Sequence, residues 1–247
     1  MMKEHKIRGL MDGDDKAFHA AAIPKLRAAQ EELQFLLSCG YPVKSAMTFV
    51  GNHHQLTVRQ ALAVTRTTAA GENLKARKKK QLAPEDLKGQ TVSIDGFNLI
   101  ITLEVALSDG MLLVGQDGCI RDLAELHGTY RLIPQTGEAI ALIHHALSNL
   151  RAGRTVFYLD QPVSNSGRLK EAIYEISWPM PVEVIITPNP DMLLKKLPCV
   201  VTGDSVILDG CAGWFNMAAY ILDQFDLSGG LTRLIRLNDE TNETEWR

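Results

Sequence analysis

The sequence predicts an α/β fold: a doubly wound parallel sheet in strand order 3-2-1-4-5, preceded by a small helical domain. Three observations carry this expectation. From residue 91 onward, short β-branched runs alternate with helix-compatible runs, the pattern of parallel strands joined by right-handed crossovers. Three of those runs end in an acid, at Asp95, Asp160 and Asp204. Such an acid needs a polar setting, and the carboxyl ends of strands border the crevice where α/β sheets bind ligands. In residues 22–38, by contrast, Leu26, Leu33, Leu36 and Leu37 recur near helical spacing.

The chain has 247 residues, enough for one large domain or two smaller ones. An apolar fraction of 45% is sufficient for a real core. The net charge of −3 leaves no global nucleic-acid footprint, so any such contact must come from a local patch. Cys39, Cys119, Cys199 and Cys211 show no C-x-x-C spacing and are expected as reduced packing residues. Met1 to Lys16 is charged and lacks the apolar stretch of a signal peptide. No apolar run approaches the ~20 residues of a membrane span. A cytoplasmic protein, with no membrane partner, is the expectation.

The elements follow in order. Asp12, Asp14 and Asp15 lack the spacing and closing Glu of a calcium loop and read as acids at a helix entry. The helix at 22–38 has Pro24 in its first turn; Gly40 and Pro42 end it. A second helix spans 57–66 with Thr57 as its N-cap. These make a helical domain over 1–74. Residues 75–90 read as a basic linker, with the dense run Lys75-Ala76-Arg77-Lys78-Lys79-Lys80 followed by Pro84 and Gly89. The α/β domain occupies 91–247. Its main strands are 91–95, 155–159, 182–186, 199–203 and 231–237, with a short extra strand at 112–115. Helices are expected over 97–107, 137–152, 168–176 and 205–225, with a short one after Pro188-Asn189-Pro190-Asp191. The tail from Asn238 is expected to fray.

In the order 3-2-1-4-5 the strands ending in Asp95 and Asp204 are neighbours at the switch point, with Asp160 at the rim. Asp209 lies about a helical turn beyond Asp204. Clustered carboxylates call for a hard cation with oxygen ligands, Mg²⁺ or Mn²⁺. Such an ion polarises a phosphodiester and supplies hydroxide. The competing roles are structural: Asp204 as a helix cap, Asp160 as a turn residue. A nuclease requires Asp95, Asp204 and a third acid to converge within roughly 4–6 Å.

Asp95-Gly96-Phe97-Asn98 resembles the D-G-x-N opening of PIN-like and NYN-type ribonuclease domains, and Thr202-Gly203-Asp204-Ser205 resembles their later T/S-G-D-S element. The resemblance implies a PIN-like parallel sheet with one or two Mg²⁺ or Mn²⁺ ions. Asp95, Asp204 and Asp209 would then be metal ligands, Asp160 an outer ligand, and Asn98 would orient Asp95 or the phosphate. The acid that NYN-type domains place two residues after the later Asp is Val206 here. The helix acid of PIN domains is left open among Glu104, Asp117 and Asp122. The segments 36–41, 49–56 and 59–66 resemble the DUF434 family, and the downstream domain resembles the DUF5616 unit joined to it. A HAD-type phosphatase is the weaker enzyme alternative. Gly203-Asp204-Ser205-Val206-Ile207-Leu208-Asp209 fits its G-D-x4-D magnesium motif, but Phe97 stands where its second Asp is required.

His53 and His54 are adjacent and therefore not expected to share a helix face or a metal. With Asn52, Arg59 and Arg66 they read as a polar patch facing RNA or packing on the second domain. Ser164, Ser166 and Arg168 sit where a loop enters a helix, the setting of an anion cradle. They join Lys78, Lys79 and Lys80 as candidate substrate-binding residues. Arg121-Asp122 and Tyr130-Arg131 either line the same rim or pair with one another. The reading that results is a metal-dependent nuclease with RNA favoured. Its rival is a nucleic-acid-binding or assembly protein without catalysis, and homo-oligomerisation is compatible with either.

Overall fold

The computed structural model describes residues 8–126, 128–225, 227 and 233–237. The first seven residues, Leu231, Thr232 and the tail from Asn238, which is the region expected to fray, lie outside the described residues. The chain order is α1 (Asp14–Ala17), α2 (Ile23–Ser38), α3 (Val43–His53), α4 (Val58–Thr67), α5 (Gly71–Lys79), β1 (Thr91–Asp95), α6 (Gly96–Leu107), β2 (Met111–Val114) and β3 (Ile120–Asp122). It continues with α7 (Pro134–Asn149), β4 (Arg154–Asp160), α8 (Ser166–Tyr174), β5 (Val182–Thr187), α9 (Pro190–Leu194), β6 (Val200–Val201), α10 (Ser205–Gly210), β7 (Trp214–Phe215), α11 (Met217–Gln224) and β8 (Arg233–Arg236). No described helix is long and apolar enough to cross a membrane.

The main sheet is five-stranded and all-parallel, in the order β5-β4-β1-β6-β7. β1 is buried along its last four residues, as expected for a parallel strand covered on both faces. Val92 and Ile94 face a core shared with α6, α7, α8 and α11. Val200 of β6 faces a smaller core with Ile207 and Leu208 of α10 and Trp214. The chain thus reverses direction between β1 and β6, and the crevice at their carboxyl ends is the switch point.

One edge of the sheet differs from expectation. Residues 231–237 were placed there by the sequence, but Arg233–Arg236 pairs in parallel with β2 in a separate sheet of order β3-β2-β8. Trp214–Phe215 takes the edge beside β6 instead. It comes from a break in the helix expected over 205–225. The cause is local. A Cβ on Gly213 would lie 2.3 Å from the Pro198 carbonyl oxygen, so the chain passes close to the 197–198 backbone, where Ala212 N–H also donates to Leu197 O. A helix cannot continue through that approach.

The second sheet joins the two parts of the chain. Successive side chains of a strand point to opposite faces. Leu112 therefore packs in the main core, while Met111 and Leu113 pack against the helices of the N-terminal part. That second core holds Leu26, Ala29 and Leu33 from one stripe of α2, with Val50 of α3 and Ala63 and Val64 of α4. Full burial of Leu26 and Leu33 contributes about 1.5–3 kcal/mol each. α4 opens with a capping box, in which Thr57 and Gln60 satisfy each other's backbone N–H groups. Arg59 crosses the junction. It forms an ion pair with buried Asp14 at 2.9 Å and donates to the Gly9 and Leu123 carbonyls.

The segment 75–90 is folded onto the second part of the chain. Its first residues complete α5. Trp214 N–H donates to Lys80 O, and Leu82 N–H donates to Trp214 O, which prolongs the sheet edge past β7. Leu87 is fully buried in the main core.

Gly213→Ala is expected to push the β6–β7 edge apart and to cost about 1–3 kcal/mol, the usual range for overpacking. Urea unfolding measures it, and an unchanged midpoint contradicts the account of the helix break.

Candidate functional site

Four aspartates gather at the carboxyl edge of the main sheet. Asp95 ends β1, Asp160 ends β4, Asp191 opens α9 just after β5, and Asp204 follows β6. Asp95 is buried at 6% exposure. Burial pushes its carboxyl up; a hydrogen bond from Thr202 opposes this, and the charges of Asp204, Asp191 and Asp160 add to the rise, to about 7. Asp160 is raised by burial and then by Asp191 and Asp204. Asp191 is raised by burial and then by Asp204, with Lys195 offsetting part of it. Asp95 feels Asp204, Asp191 and Asp160, Asp160 feels Asp191 and Asp204, and Asp191 feels Asp204, which places the four in one electrostatic neighbourhood.

The loop after β6 is fastened to Asp95. Thr202 Oγ1 donates to Asp95 Oδ2 at 2.8 Å and accepts from Asp204 N–H at 3.0 Å. Asn98 Oδ1 accepts from Gly203 N–H at 2.7 Å. Asn98 therefore orients the 202–204 loop. Asp204 caps α10, its Oδ1 accepting from Val206 N–H at 2.7 Å and Ile207 N–H at 3.1 Å. It is both the expected cap and a member of the acid group. Among the described residues, no three of these carboxylates converge closely enough to hold one ion directly.

Asp209 stands apart. Its two oxygens accept from Arg77 Nε at 2.7 Å and Asn73 Nδ2 at 2.8 Å, both on α5. The three candidate helix acids are also engaged elsewhere. Glu104 is fully buried and accepts from Tyr130, Thr136 and Arg8. Asp117 lies between Arg77 and Arg121; burial pushes it up, but the two guanidiniums hold it down at about 2. Asp122 accepts from Thr102 at 3.0 Å and pairs with Arg66.

A cleft of about 290 Å³ opens beside the acids. Asn98, Gly203 and Asp204 form one wall, and Arg66, Arg121, Asp122 and Glu125 another. Arg121 reaches the wall through Nε, which donates to Gly203 O at 2.8 Å. Arg66 and Arg59 thus turn inward, away from the polar patch expected around Asn52.

The other expected substrate residues are dispersed. Ser164 donates to the Gly128 carbonyl at 2.9 Å and the Tyr130 carbonyl at 3.3 Å, so its hydroxyl fastens the 128–130 loop. Ser166 begins α8, and Arg168 is exposed on that helix. Lys80 Nζ donates to the carbonyls of Asp209 and Cys211 at the end of α10. Lys78 bonds Gln81, and Lys79 is exposed. Cys119, Cys199 and Cys211 are free and buried, and Cys39 is free and exposed. Asp191 was not among the expected site residues, and Thr202 and Arg66 were expected only within the 202–205 element and the patch around Asn52. Asp191 carried a signal, an acid just beyond a strand end, that was read as an ordinary helix start.

The family "Domain of unknown function (DUF5616)" matches residues 84–220, and "Protein of unknown function (DUF434)" matches residues 25–80. The chain belongs to the DUF434–DUF5616 family. It is 34% identical over 185 residues to "Uncharacterized protein MJ0935" of Methanocaldococcus jannaschii, a match covering 74% of this chain and 88% of that protein. No solved structure matches the chain. In this DUF5616 domain the match spans every main-sheet strand and all four aspartates of the carboxyl edge.

Because Asp95 has its pKa raised from 3.8 to about 7, the folded state holds this proton more tightly than the unfolded one. Its stabilising effect is present in acid and is lost as pH rises from about 4 through about 7. In chelator-treated protein, Asp95→Asn should abolish that fall and be the more stable form at pH 8, by up to about 4 kcal/mol at 1.36 kcal/mol per unit. Thermal unfolding across pH 4–8 checks this. A wild-type-minus-variant difference that does not change with pH contradicts it.

Proposed function

We propose that this protein is a metal-dependent phosphodiesterase on a PIN-like scaffold, with RNA as its favoured substrate. The observation that carries the reading is the gathering of Asp95, Asp160, Asp191 and Asp204 at the switch point, where burial and neighbouring aspartates raise Asp95, Asp160 and Asp191. Crowded acids of one sign, with Asp95 buried among them, favour a cation. An all-carboxylate donor set suits Mg²⁺ or Mn²⁺. Mg²⁺ keeps several waters and uses only one or two carboxylates directly, so one or two direct ligands are required of this set and not the three-acid convergence, which the described residues do not meet. Asp95 and Asp204 would hold it, with Asp160 and Asp191 acting through water. When bound, the ion would polarise a phosphoryl oxygen and lower the pKa of a water.

The chain's own residues supply the positioning. Thr202 fixes the orientation of Asp95, and Asn98 fixes the loop that carries Asp204. Arg66, paired with Asp122, is the more exposed of the cleft's two arginines and would meet a phosphate there, while Arg121 is held by Asp117 and the Gly203 carbonyl. Lys75, Lys78 and Lys79 on α5 are exposed and add a local basic surface for a nucleic-acid backbone. RNA is favoured by the likeness of the 95–98 and 202–205 elements to those of PIN and NYN ribonucleases.

A second reading, nucleic-acid binding without hydrolysis, is favoured by one feature. Asp204 spends Oδ1 on the α10 cap, and the close convergence of three carboxylates is not met among the described residues. Cleavage of a labelled RNA with Mn²⁺ distinguishes the two. Wild type should cleave, and Asp95→Asn should lose at least about a hundredfold, the upper end for loss of a second-shell partner. Equal cleavage by both sinks the role of Asp95. RNA binding by a wild type that does not cleave establishes the second reading.

A further inference from the structure

A separate group of ligand-type side chains lies on the N-terminal helices. We propose that Glu32, His53 and His54 form a transition-metal site of the zinc class, joining α2 to the end of α3. One ligand atom from each residue lies within 4.8 Å of the others. His54 Nε2 is 2.9 Å from Glu32 Oε2. That nitrogen is buried, yet it makes no hydrogen bond to this oxygen or to any other group. The two atoms are at ion-pair distance for a protonated imidazole, and with a neutral ring they are two ligand-type atoms side by side without a hydrogen bond between them. With Zn–N and Zn–O bonds near 2.0–2.2 Å, tetrahedral ligands are about 3.3–3.6 Å apart. The His54–Glu32 pair, at 2.9 Å, would open by about half an ångström to take the ion, and exposed His53 would swing in by a side-chain shift.

The neighbouring backbone makes adjacent histidines compatible with one ion. His53 is the last residue of α3, and His54 leaves it as the C-cap with ψ 2°. The rings meet edge to face with centroids 4.8 Å apart. The rule that neighbouring residues diverge on a helix stops applying where the helix stops. The carboxyl end of an 11-residue helix also attracts a cation. Two imidazoles with one carboxylate suit Zn²⁺ and related ions better than Mg²⁺, and three protein ligands leave a fourth position open to water. This site is therefore distinct in metal class and in place from the aspartates of the main sheet.

Calorimetric titration of Zn²⁺ into the metal-free full chain tests it, alongside His53→Ala, His54→Ala, Glu32→Gln and the double variant Asp95→Asn/Asp204→Asn. Wild type should bind one Zn²⁺ per chain at this site. Each of the three ligand variants should weaken it by at least about tenfold, the lower bound for second-shell losses. The double aspartate variant should retain it. Zinc-edge X-ray absorption of the wild-type complex should show two imidazoles. Unchanged affinity in the three ligand variants, loss only in the aspartate variant, or fewer than two imidazoles overturns the proposal. Circular dichroism of each metal-free variant controls for folding. Should His54→Ala not fold, His53→Ala and Glu32→Gln decide the matter, because His53 is exposed and Glu32 is half-exposed.

Discussion

The guanidinium of Arg77 is the contact on which the arrangement of the site depends. Its side chain is 3% exposed. It holds Asp117 at 2.6 Å, Asp209 at 2.7 Å and the Ser205 carbonyl at 3.3 Å. Asp117 in turn holds both terminal nitrogens of Arg121, whose Nε donates to the Gly203 carbonyl. A continuous path of charged contacts thus runs from α5, through the turn between β2 and β3, to the loop bearing Asp204. Removing one partner from a buried pair typically costs about 3–5 kcal/mol, because the other charge stays buried. The N-terminal helices are therefore a structural support for the switch-point loop, and the basic run of α5 has an interior role at Arg77 beside its solvent-facing lysines.

The same network divides α10 electrostatically. On the α5 side, Asp209 is neutralised by Arg77, and Lys80 caps the helix end. At its amino end, Asp204 shares its field with Asp95, Asp160 and Asp191. The HAD-type alternative needs both Asp204 and Asp209 at one ion. Asp209 is committed to Arg77, which removes the basis for that alternative. The fourth acid at the carboxyl edge is Asp191, not Asp209.

Local chemistry made much of the fold legible in the sequence. β-branched runs ending in Asp95 and Asp160 are strands, and Thr57 with Gln60 announces a helix start. What was not legible depends on distant partners. The two-residue strand Trp214–Phe215 exists because its backbone pairs with β6 and with Lys80–Leu82, and no local preference signals that. Residues 233–236 read as a main-sheet strand because a short apolar pair between arginines does not say which sheet accepts it. Asp209 and Arg77 are 132 residues apart, so their pairing had no local signature. The His53–His54 cluster was discounted by a rule for helix interiors, and it sits at a helix end.

The aspartates at the sheet's carboxyl edge are proposed as a cation site. Anomalous diffraction from crystals grown with Mn²⁺ tests this most directly. The predicted result is a peak at inner-sphere distance, about 2.0–2.2 Å, from a carboxylate oxygen of Asp95 or Asp204. Full Mn²⁺ saturation of the crystal with no peak at these residues, or with a peak only at Asp209, would contradict it.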